Sequence, residues 1–289
     1  MAKKQPTYTQ RRSSRKKPKK SRSPLLNIAL LLIFVGAIYA YSKCRDNGPD
    51  ATAEVPSYGT TLERVVIPDE TPEILVRYTG FTVSFNKDHH QPNYVVWELT
   101  GSEAKGTEPR SSKFRPDPDV LGSAVLEDYR NSGFDRGHMF PAGDAKWDAQ
   151  AMLDSHYLTN MCPQDRKVNS GRWSTLEKLC RQWAQRDSAL IIVTGPVLSD
   201  YLTRTIGPSH VTVPDRFFKV ILAPYADPVR AIGFIVPNTP TSDGLESMAT
   251  SVDRVEEITG FDFFSALPDD VETVVEQQAN MRDWNRRKR

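Results

Sequence analysis

Arg136 and His138 stand on either side of Gly137, within the sequence Phe-Asp-Arg-Gly-His-Met of residues 134–139. If this segment is extended, the two side chains leave the backbone on the same side. A histidine is the usual general base near neutral pH, and a guanidinium can neutralise charge that develops on phosphate oxygens. Gly137 would let a phosphate or a second strand approach closely. The pair is therefore suited to phosphodiester hydrolysis.

A second segment, residues 157–177, offers oxygen ligands for a divalent cation. Asn169 and Glu177 are eight residues apart, a little over two helical turns, so both can project to roughly one side of a helix. Mg²⁺ keeps several of its waters and needs only one or two protein oxygens. An asparagine carbonyl and an outer carboxylate are sufficient. The segment therefore predicts a site for Mg²⁺ that would tolerate Mn²⁺.

The helix that carries these side chains shows a clear apolar stripe. Trp173, Leu176, Cys180 and Trp183 are spaced by three, four and three residues, which places them on one helical face. Packing of that face on the core would fix the position of the polar residues, and Ser170 or Asn169 could cap the start of the helix.

The surrounding pattern is mostly strand with interspersed helices, which suits an α+β domain. Segments rich in β-branched and aromatic residues predict six strands, the first two as a hairpin: 80–85, 93–100, 156–162, 189–194, 217–222 and 230–236. Glycine and proline punctuate residues 101–134, which we interpret as a long loop. Two helices, at about 245–259 and 271–286, are predicted to close the chain.

The two polar segments together resemble the DNA/RNA non-specific endonuclease family, the ββα-metal nucleases that include endonuclease G. Asp135-Arg-Gly-His138 matches the D-R-G-H signature of that family. The second block matches in order and spacing: Tyr157-Leu-Thr-Asn160, Pro163-Gln164 and Asn169-x-x-x-Trp173-x-x-Leu176-Glu177. The tetrapeptide alone is weak evidence, but the two blocks at this spacing are highly specific. The resemblance extends, more loosely, from about residue 75 to residue 268.

This resemblance implies a role for each matching position. His138 would be the general base, Arg136 would contact the phosphate, and Asn169 would be the direct protein ligand of the metal. Glu177 would orient a metal-bound water. Asn160 would support the site by a hydrogen bond near His138 or the metal.

The family also carries a second phosphate-stabilising arginine. Arg110 falls at its position, but the loop is variable, so Arg115 is an alternative for the same role. The implied fold is a ββα-metal nuclease fold, with a central, mostly antiparallel sheet flanked by helices. The implied activity is endonucleolytic cleavage of DNA and RNA with little sequence or sugar specificity, leaving 5′-phosphates.

Two other functions are compatible with the sequence. One is a membrane-tethered phosphodiesterase that acts on small or lipid-linked substrates. The other is a relative that binds nucleic acid without cleaving it, although no matched position is substituted. Turnover on plasmid compared with a dinucleotide, and retention of DNA without metal, would distinguish these functions from endonucleolytic cleavage.

The N-terminal region predicts a membrane anchor. Residues 25–41 carry no charge and one polar amide, Asn27, which is at the short end of the length that spans a bilayer. The basic residues before this segment should remain cytoplasmic, so the rest of the chain is predicted to be extracytoplasmic, and periplasmic in a bacterium. A cleaved signal peptide and a buried core helix are the alternatives.

The predicted organisation is therefore a basic tail (1–24), a transmembrane helix (25–41), a linker (42–70) and a nuclease domain (71–289). Ten of the 38 Lys and Arg residues lie in the first 23, which leaves 28 against 36 acidic residues in the remainder. A nucleic-acid enzyme with an acidic body must concentrate positive charge at its site. Cys162 and Cys180 could form a disulfide or remain two buried thiols, and both interpretations are kept open.

Overall fold

The computed structural model describes residues 61–199, 201 and 203–285. The predicted tail, the predicted membrane helix at 25–41 and most of the predicted linker lie outside these residues. Within the described part of the chain, no helix is both long enough and apolar enough to cross a membrane. Val65–Val66, inside the predicted linker, form strand β1, which pairs with β13 (Asp262–Phe263).

A seven-stranded sheet forms the centre of the fold, and each neighbouring pair of its strands is antiparallel. In chain order its strands are β2 (Ile74–Tyr78), β3 (Phe81–Asn86), β4 (Gln91–Thr100), β7 (Ala189–Pro196), β10 (Arg216–Ala223), β11 (Arg230–Pro237) and β12 (Ala249–Thr250). Across the sheet the order is β12–β11–β10–β7–β4–β3–β2. The predicted α+β class with an antiparallel sheet is confirmed.

The three long C-terminal strands of this sheet form because their apolar side chains can be buried on both faces. Leu190 and Ile192 of β7 belong to one hydrophobic cluster, while Ile191 and Val193 belong to another on the opposite face. Side chains alternate between the faces of a strand, so a continuous apolar run is typical of a sheet covered on both sides. The sheet therefore separates two cores.

Helix α1 (Leu126–Tyr129) packs in a third, smaller cluster. The helices that follow it pack on the two sheet faces: α2 (Ala149–Asp154), α3 (Arg166–Val168), α4 (Ser174–Asp187), α5 (Val252–Thr259), α6 (Asp269–Glu276) and α7 (Met281–Asn285). The predicted apolar stripe on α4 and the turn before it is confirmed, since Trp173, Leu176, Cys180 and Trp183 are all buried. They pack into one cluster, while Val252 and Val255 of α5 and Val275 of α6 pack into the other.

A separate two-stranded ribbon precedes α4 and completes a ββα unit. Strand β5 (Asp135–His138) pairs antiparallel with β6 (Met161–Gln164), and His138 lies opposite Met161. A Cβ atom on Gly137 would lie 2.5 Å from Oε1 of Gln164. Of the two reasons predicted for this glycine, the close approach of a second strand is therefore the one observed.

Several predicted element boundaries are wrong. Residues 156–162 are not one strand, because Leu158–Asn160 form a 3₁₀ turn before β6 begins at Met161. The predicted helix at 245–259 is a 3₁₀ turn followed by β12 and α5, and the predicted helix at 271–286 is divided into α6 and α7. The predicted loop at 101–134 contains a 3₁₀ turn at Glu103–Lys105 and the short helix α1. A small hairpin of β8 (Thr205–Ile206) and β9 (Val211–Thr212) was not predicted.

Candidate active site

Strand β5 presents Arg136 and His138 on the same face, as the extended pattern predicts. The guanidinium carbon of Arg136 lies 4.3 Å from the centre of the Phe114 ring, and the imidazole of His138 lies 5.5 Å from that same ring. Cation–π contact with Phe114 therefore orients the arginine beside the histidine.

The imidazole of His138 is almost completely buried, with 7% of the residue exposed. The ring packs edge-on against His156 at 5.0 Å, and its backbone carbonyl accepts a hydrogen bond from Nε1 of Trp173 at 3.2 Å. Burial lowers the pKa of His138 well below its usual value, and the positive charges of Arg110 and Arg136 act in the same direction. The imidazole is therefore neutral at physiological pH, which is the form that can accept a proton.

Asn160 supports the backbone just beyond His138. Its amide nitrogen donates to the carbonyls of Phe140 and Ser155, and its amide oxygen accepts from the Phe140 N–H at 2.8 Å. The residue is fully buried. The expected hydrogen bond near His138 thus goes to main-chain atoms two residues further along the chain.

Asn169 lies in the irregular turn that joins α3 to α4. Its amide nitrogen donates to Oδ2 of Asp135 at 3.1 Å, while the other oxygen of Asp135 accepts from Arg166 at 3.3 Å. The nitrogen of the amide is thus directed toward Asp135, which leaves the carbonyl oxygen available to bind a cation. Asn169 is therefore held by Asp135, and the predicted role of Asn169 as a side-chain helix cap is not observed.

Glu177 projects from the first turn of α4 into a buried group of charges. Burial raises the pKa of this carboxyl to about 7, Lys219 and Arg181 lower it, and Asp144 raises it. Arg181 forms an ion pair with Asp144 at 2.6 Å. Buried charge is stable only when it is paired in this way.

Lys219 is a functional candidate that the sequence prediction missed. It is 1% exposed, and its ammonium lies 5.1 Å and 4.7 Å from the ring centres of Trp97 and Trp173. A lone lysine inside the apolar strand 217–222 was the available signal. The sequence also contained a signal for Arg181, because Arg181 stands four residues after Glu177 and hence on the same helical face.

The predicted site residues other than Asn160 line two adjacent cavities. The smaller, of about 220 Å³, is lined by Arg110, His138, Asn169 and Glu177 together with backbone and small side chains of 141–143. The larger, of about 550 Å³, shares Arg110 and Asn169 with it. It adds three further arginines and three aromatic rings: Arg130, Arg136, Arg166, Phe114, Tyr129 and Phe134.

Arg110 and Arg115 occupy different surroundings. Arg110 lines both cavities and acts on the pKa of His138. The guanidinium carbon of Arg115 instead stacks 4.0 Å from the centre of the Tyr157 ring, and Arg115 forms an isolated backbone bridge with Tyr157. Of the two, Arg110 is therefore the one that can reach a phosphate in the cavity.

The donors in the smaller cavity fit a hard divalent cation. The carbonyl oxygen of Asn169 and the carboxylate of Glu177 are oxygen donors at one cavity, and the space between them is polar and large enough for water. Cys162 and Cys180 are buried free thiols, so of the two interpretations kept open for this pair the unpaired one is observed.

Comparison with known proteins bears on this site. Residues 59–270 match the family described as DNA/RNA non-specific endonuclease. The chain is 36% identical over 230 residues to a Danio rerio protein named "Nuclease EXOG, mitochondrial", covering 72% of this chain and 67% of that protein. It is 37% identical over 212 residues to "Nuclease C1" of Cunninghamella echinulata var. echinulata, covering 68% of this chain and 83% of that protein.

A solved structure is also similar. Its title is "Crystal structure of the EndoG/EndoGI complex: Mechanism of EndoG inhibition", and the likeness has a TM-score of 0.63 at 26% identity. It covers 67% of this chain and 86% of that chain. For the Mus musculus and Homo sapiens proteins named nuclease EXOG, the aligned regions span 57% and 63% of the relative.

These names contradict one prediction. We expected a single-pass membrane protein with an extracytoplasmic nuclease domain, whereas the relatives at 31–37% identity include several that are named mitochondrial nucleases. The predicted localisation is therefore wrong. It depended on the hydropathy of residues 25–41 and the charges before them, a signal that lies apart from the matched domain.

The resemblance carried by the two motif blocks is confirmed by a match that extends well beyond them, through most of the described fold. The chain belongs to the DNA/RNA non-specific endonuclease family.

Proposed function

We propose that the protein is a metal-dependent endonuclease that hydrolyses phosphodiester bonds of DNA and RNA with little sequence or sugar specificity and leaves 5′-phosphates. One observation carries the proposal. A neutral histidine, an asparagine oxygen, a carboxylate and an arginine all line a single cavity of about 220 Å³. A general base, metal donors and a phosphate contact are the parts that such hydrolysis needs.

His138 takes the proton of the attacking water. Its lowered pKa keeps the imidazole unprotonated, so it is ready to act as a base throughout the neutral range. The Trp173 hydrogen bond to its carbonyl and the hydrogen bonds of Asn160 to Phe140 hold the backbone on both sides of the ring. The base is thus fixed in position before substrate binds.

Arg110 and Arg136 hold the phosphate. Arg110 reaches the smaller cavity, and Arg136 lies in the larger cavity beside Phe114. Contacts of this kind are made to the backbone of the nucleic acid and carry no sequence information, which supports low specificity. The further arginines Arg130 and Arg166 supply the local positive charge that an otherwise acidic body requires.

Asn169 would bind Mg²⁺, or Mn²⁺, directly, with water completing the shell, and Glu177 would orient one of these waters. When bound, the cation neutralises charge on the phosphate and on the leaving 3′ oxygen. Asp135 fixes the amide of Asn169 through the hydrogen bond to its nitrogen. Lys219 and Arg181 favour the ionised form of Glu177, which is the form that accepts a hydrogen bond from water.

The test is cleavage of plasmid DNA and of RNA by the purified protein, with Mg²⁺ and with EDTA. We expect cleavage of both substrates with Mg²⁺ and none with EDTA. His138→Asn should lower kcat by at least ~10²-fold, because general-base catalysis contributes roughly 10²–10⁴-fold. The matched control is His210→Asn at an exposed histidine, which should leave kcat unchanged.

Two results would contradict the proposal. Intact plasmid and RNA at every Mg²⁺ and Mn²⁺ concentration would exclude nuclease activity. Equal turnover on a dinucleotide and on plasmid would instead favour a phosphodiesterase for small substrates.

A further inference from the structure

A second group of carboxylates lies away from the candidate active site. Asp253 and Glu256 stand one turn apart on α5, and Glu276 is the last residue of α6. One oxygen from each of the three side chains lies within 4.8 Å of the other two. Both helices pack on the sheet face opposite to the one that carries Trp173 and Leu176.

Glu276 is buried in this group without a hydrogen-bond partner for one of its oxygens. Only 6% of the residue is exposed, and Oε1 has neither solvent contact nor a donor within reach. A buried, unpaired carboxylate is costly. The end of α6 adds to this cost, because the C-terminus of a helix carries partial negative charge.

The charges that surround Glu276 increase the cost further. Burial raises the pKa of Glu276 to about 9, and Glu256, Glu272, Asp253 and Asp262 all act in the same direction. Burial likewise raises the pKa of Glu256 to about 7, although one of its oxygens accepts the backbone N–H of Phe263 at 2.9 Å. The backbone hydrogen bond to Glu256 therefore does not offset the repulsion among these carboxyl groups.

We propose that Asp253, Glu256 and Glu276 bind a calcium ion that ties α5 to α6. Carboxylate oxygens are the ligands of hard divalent cations, and Ca²⁺ accepts them in a flexible geometry with waters completing the shell. Two ligands on opposite sides of Ca²⁺ are separated by up to ~5 Å, against ~4 Å for Mg²⁺. Oxygens that lie within 4.8 Å of one another can therefore share one calcium ion.

This site is distinct from the proposed catalytic metal. It offers three carboxylates, whereas the smaller cavity offers one amide oxygen and one carboxylate. The calcium site therefore has a structural role, and its loss should affect the stability of the α5–α6 region rather than cleavage. Its test does not depend on the proposed function.

The experiment is thermal unfolding of the full-length protein carrying Asn169→Ala, which removes the ligand of the proposed catalytic metal. At pH 8 and constant ionic strength, Ca²⁺ at about 100 times its Kd should raise Tm by about 5–10 °C relative to EDTA. Calorimetric titration with Ca²⁺ should give one ion per chain. Mg²⁺ at the same concentration should produce a smaller shift.

Glu276→Gln should abolish the calcium-dependent shift while the protein remains folded, because the substitution removes charge from a group that repels itself. The matched control is Asp270→Asn on the same helix, an exposed acid that should leave the shift intact. Without the Asn169 substitution, Glu276→Gln should leave Mg²⁺-dependent cleavage unchanged. No shift with Ca²⁺ would overturn the proposal and indicate that the carboxyls share protons instead. An equal shift in Glu276→Gln would also overturn it, because the ion would then bind elsewhere.

Discussion

Two groups of carboxyls in this nuclease lie on opposite faces of the sheet, and their surroundings differ in charge. Around Glu177 and Asp144 the chain supplies two cations of its own, Lys219 and Arg181. Around Glu276 the charged groups that act on its pKa are acidic, and they lie on α5, β13 and α6. Each region contains a fully buried carboxyl, Asp144 or Glu276, and in the first region that carboxyl is paired with an arginine.

The difference shows two ways of placing a carboxylate inside a protein. A buried charge must be paired or it takes up a proton. Where a carboxylate must stay ionised to orient water, internal cations are suitable because they do not depend on solvent composition. Where no such cation is provided, the region depends on protons or ions from solvent, and its stability should vary with pH and metal.

The largest expected effect is at the cation of the first region. Lys219→Met should lower the free energy of unfolding by ~3–5 kcal/mol at pH 8, which is typical when one partner of a buried charge group is removed. Chemical denaturation followed by tryptophan fluorescence measures this change. The control is Lys178→Met on the exposed side of α4, which should change stability by less than ~0.5 kcal/mol. An equal loss of stability in Lys219→Met and Lys178→Met would show that Lys219 does not stabilise the buried carboxyl groups of the first region.

A smaller effect is expected in the pH dependence of kcat, on the acid side of neutral pH. Without a bound cation the pKa of Glu177 is raised to about 7, so cleavage at limiting Mg²⁺ should fall as pH decreases below about 7, when this carboxyl takes up a proton. His138 does not produce this limb, because its pKa is lowered and it stays neutral there. Glu177→Gln should lower kcat about 10–100-fold, the usual cost of losing an outer-shell partner, and should remove the limb.

The control for this profile comes from the second region. Glu276→Gln should keep both the normal kcat and the acid limb near pH 7, since it lies on the other face of the sheet. An acid limb that persists in Glu177→Gln, measured as kcat between pH 5.5 and pH 8.5, would assign the titration to a different group.

The smallest effect concerns the stability of the second region. The pKa of Glu276 is raised from 4.5 to about 9, so its contribution to stability is fully present below 4.5 and is lost as pH rises toward 9. In EDTA, the free energy of unfolding should therefore fall by roughly 1–2 kcal/mol between pH 7 and pH 8.5, since one pKa unit corresponds to about 1.4 kcal/mol.

Glu276→Gln should flatten this dependence, and Asp270→Asn should leave it unchanged. Urea denaturation at several pH values measures both slopes. The expected role of Glu276 is contradicted if its substitution leaves the slope as it is.

Much of the candidate site could be predicted because it depends on local periodicity. The two-residue spacing of Arg136 and His138 is sufficient to place them on one face of a strand, and the 3-4-3 spacing of Trp173 to Trp183 is sufficient to orient α4. The long apolar strands could be recognised for the same reason. Boundaries around residues 156–162 could not, because a 3₁₀ turn and a strand share the same residue types over so short a range.

The amino-acid sequence by itself determined the family, the antiparallel α+β architecture and the residue types of the site, since these depend on motifs and short-range patterns. Only the tertiary structure decided that Arg110 rather than Arg115 reaches the cavity. It also decided that Lys219 lies near Glu177, and that Glu276 meets Glu256 across two helices. These contacts join residues far apart in the chain, and their charge balance arises only when packing excludes water.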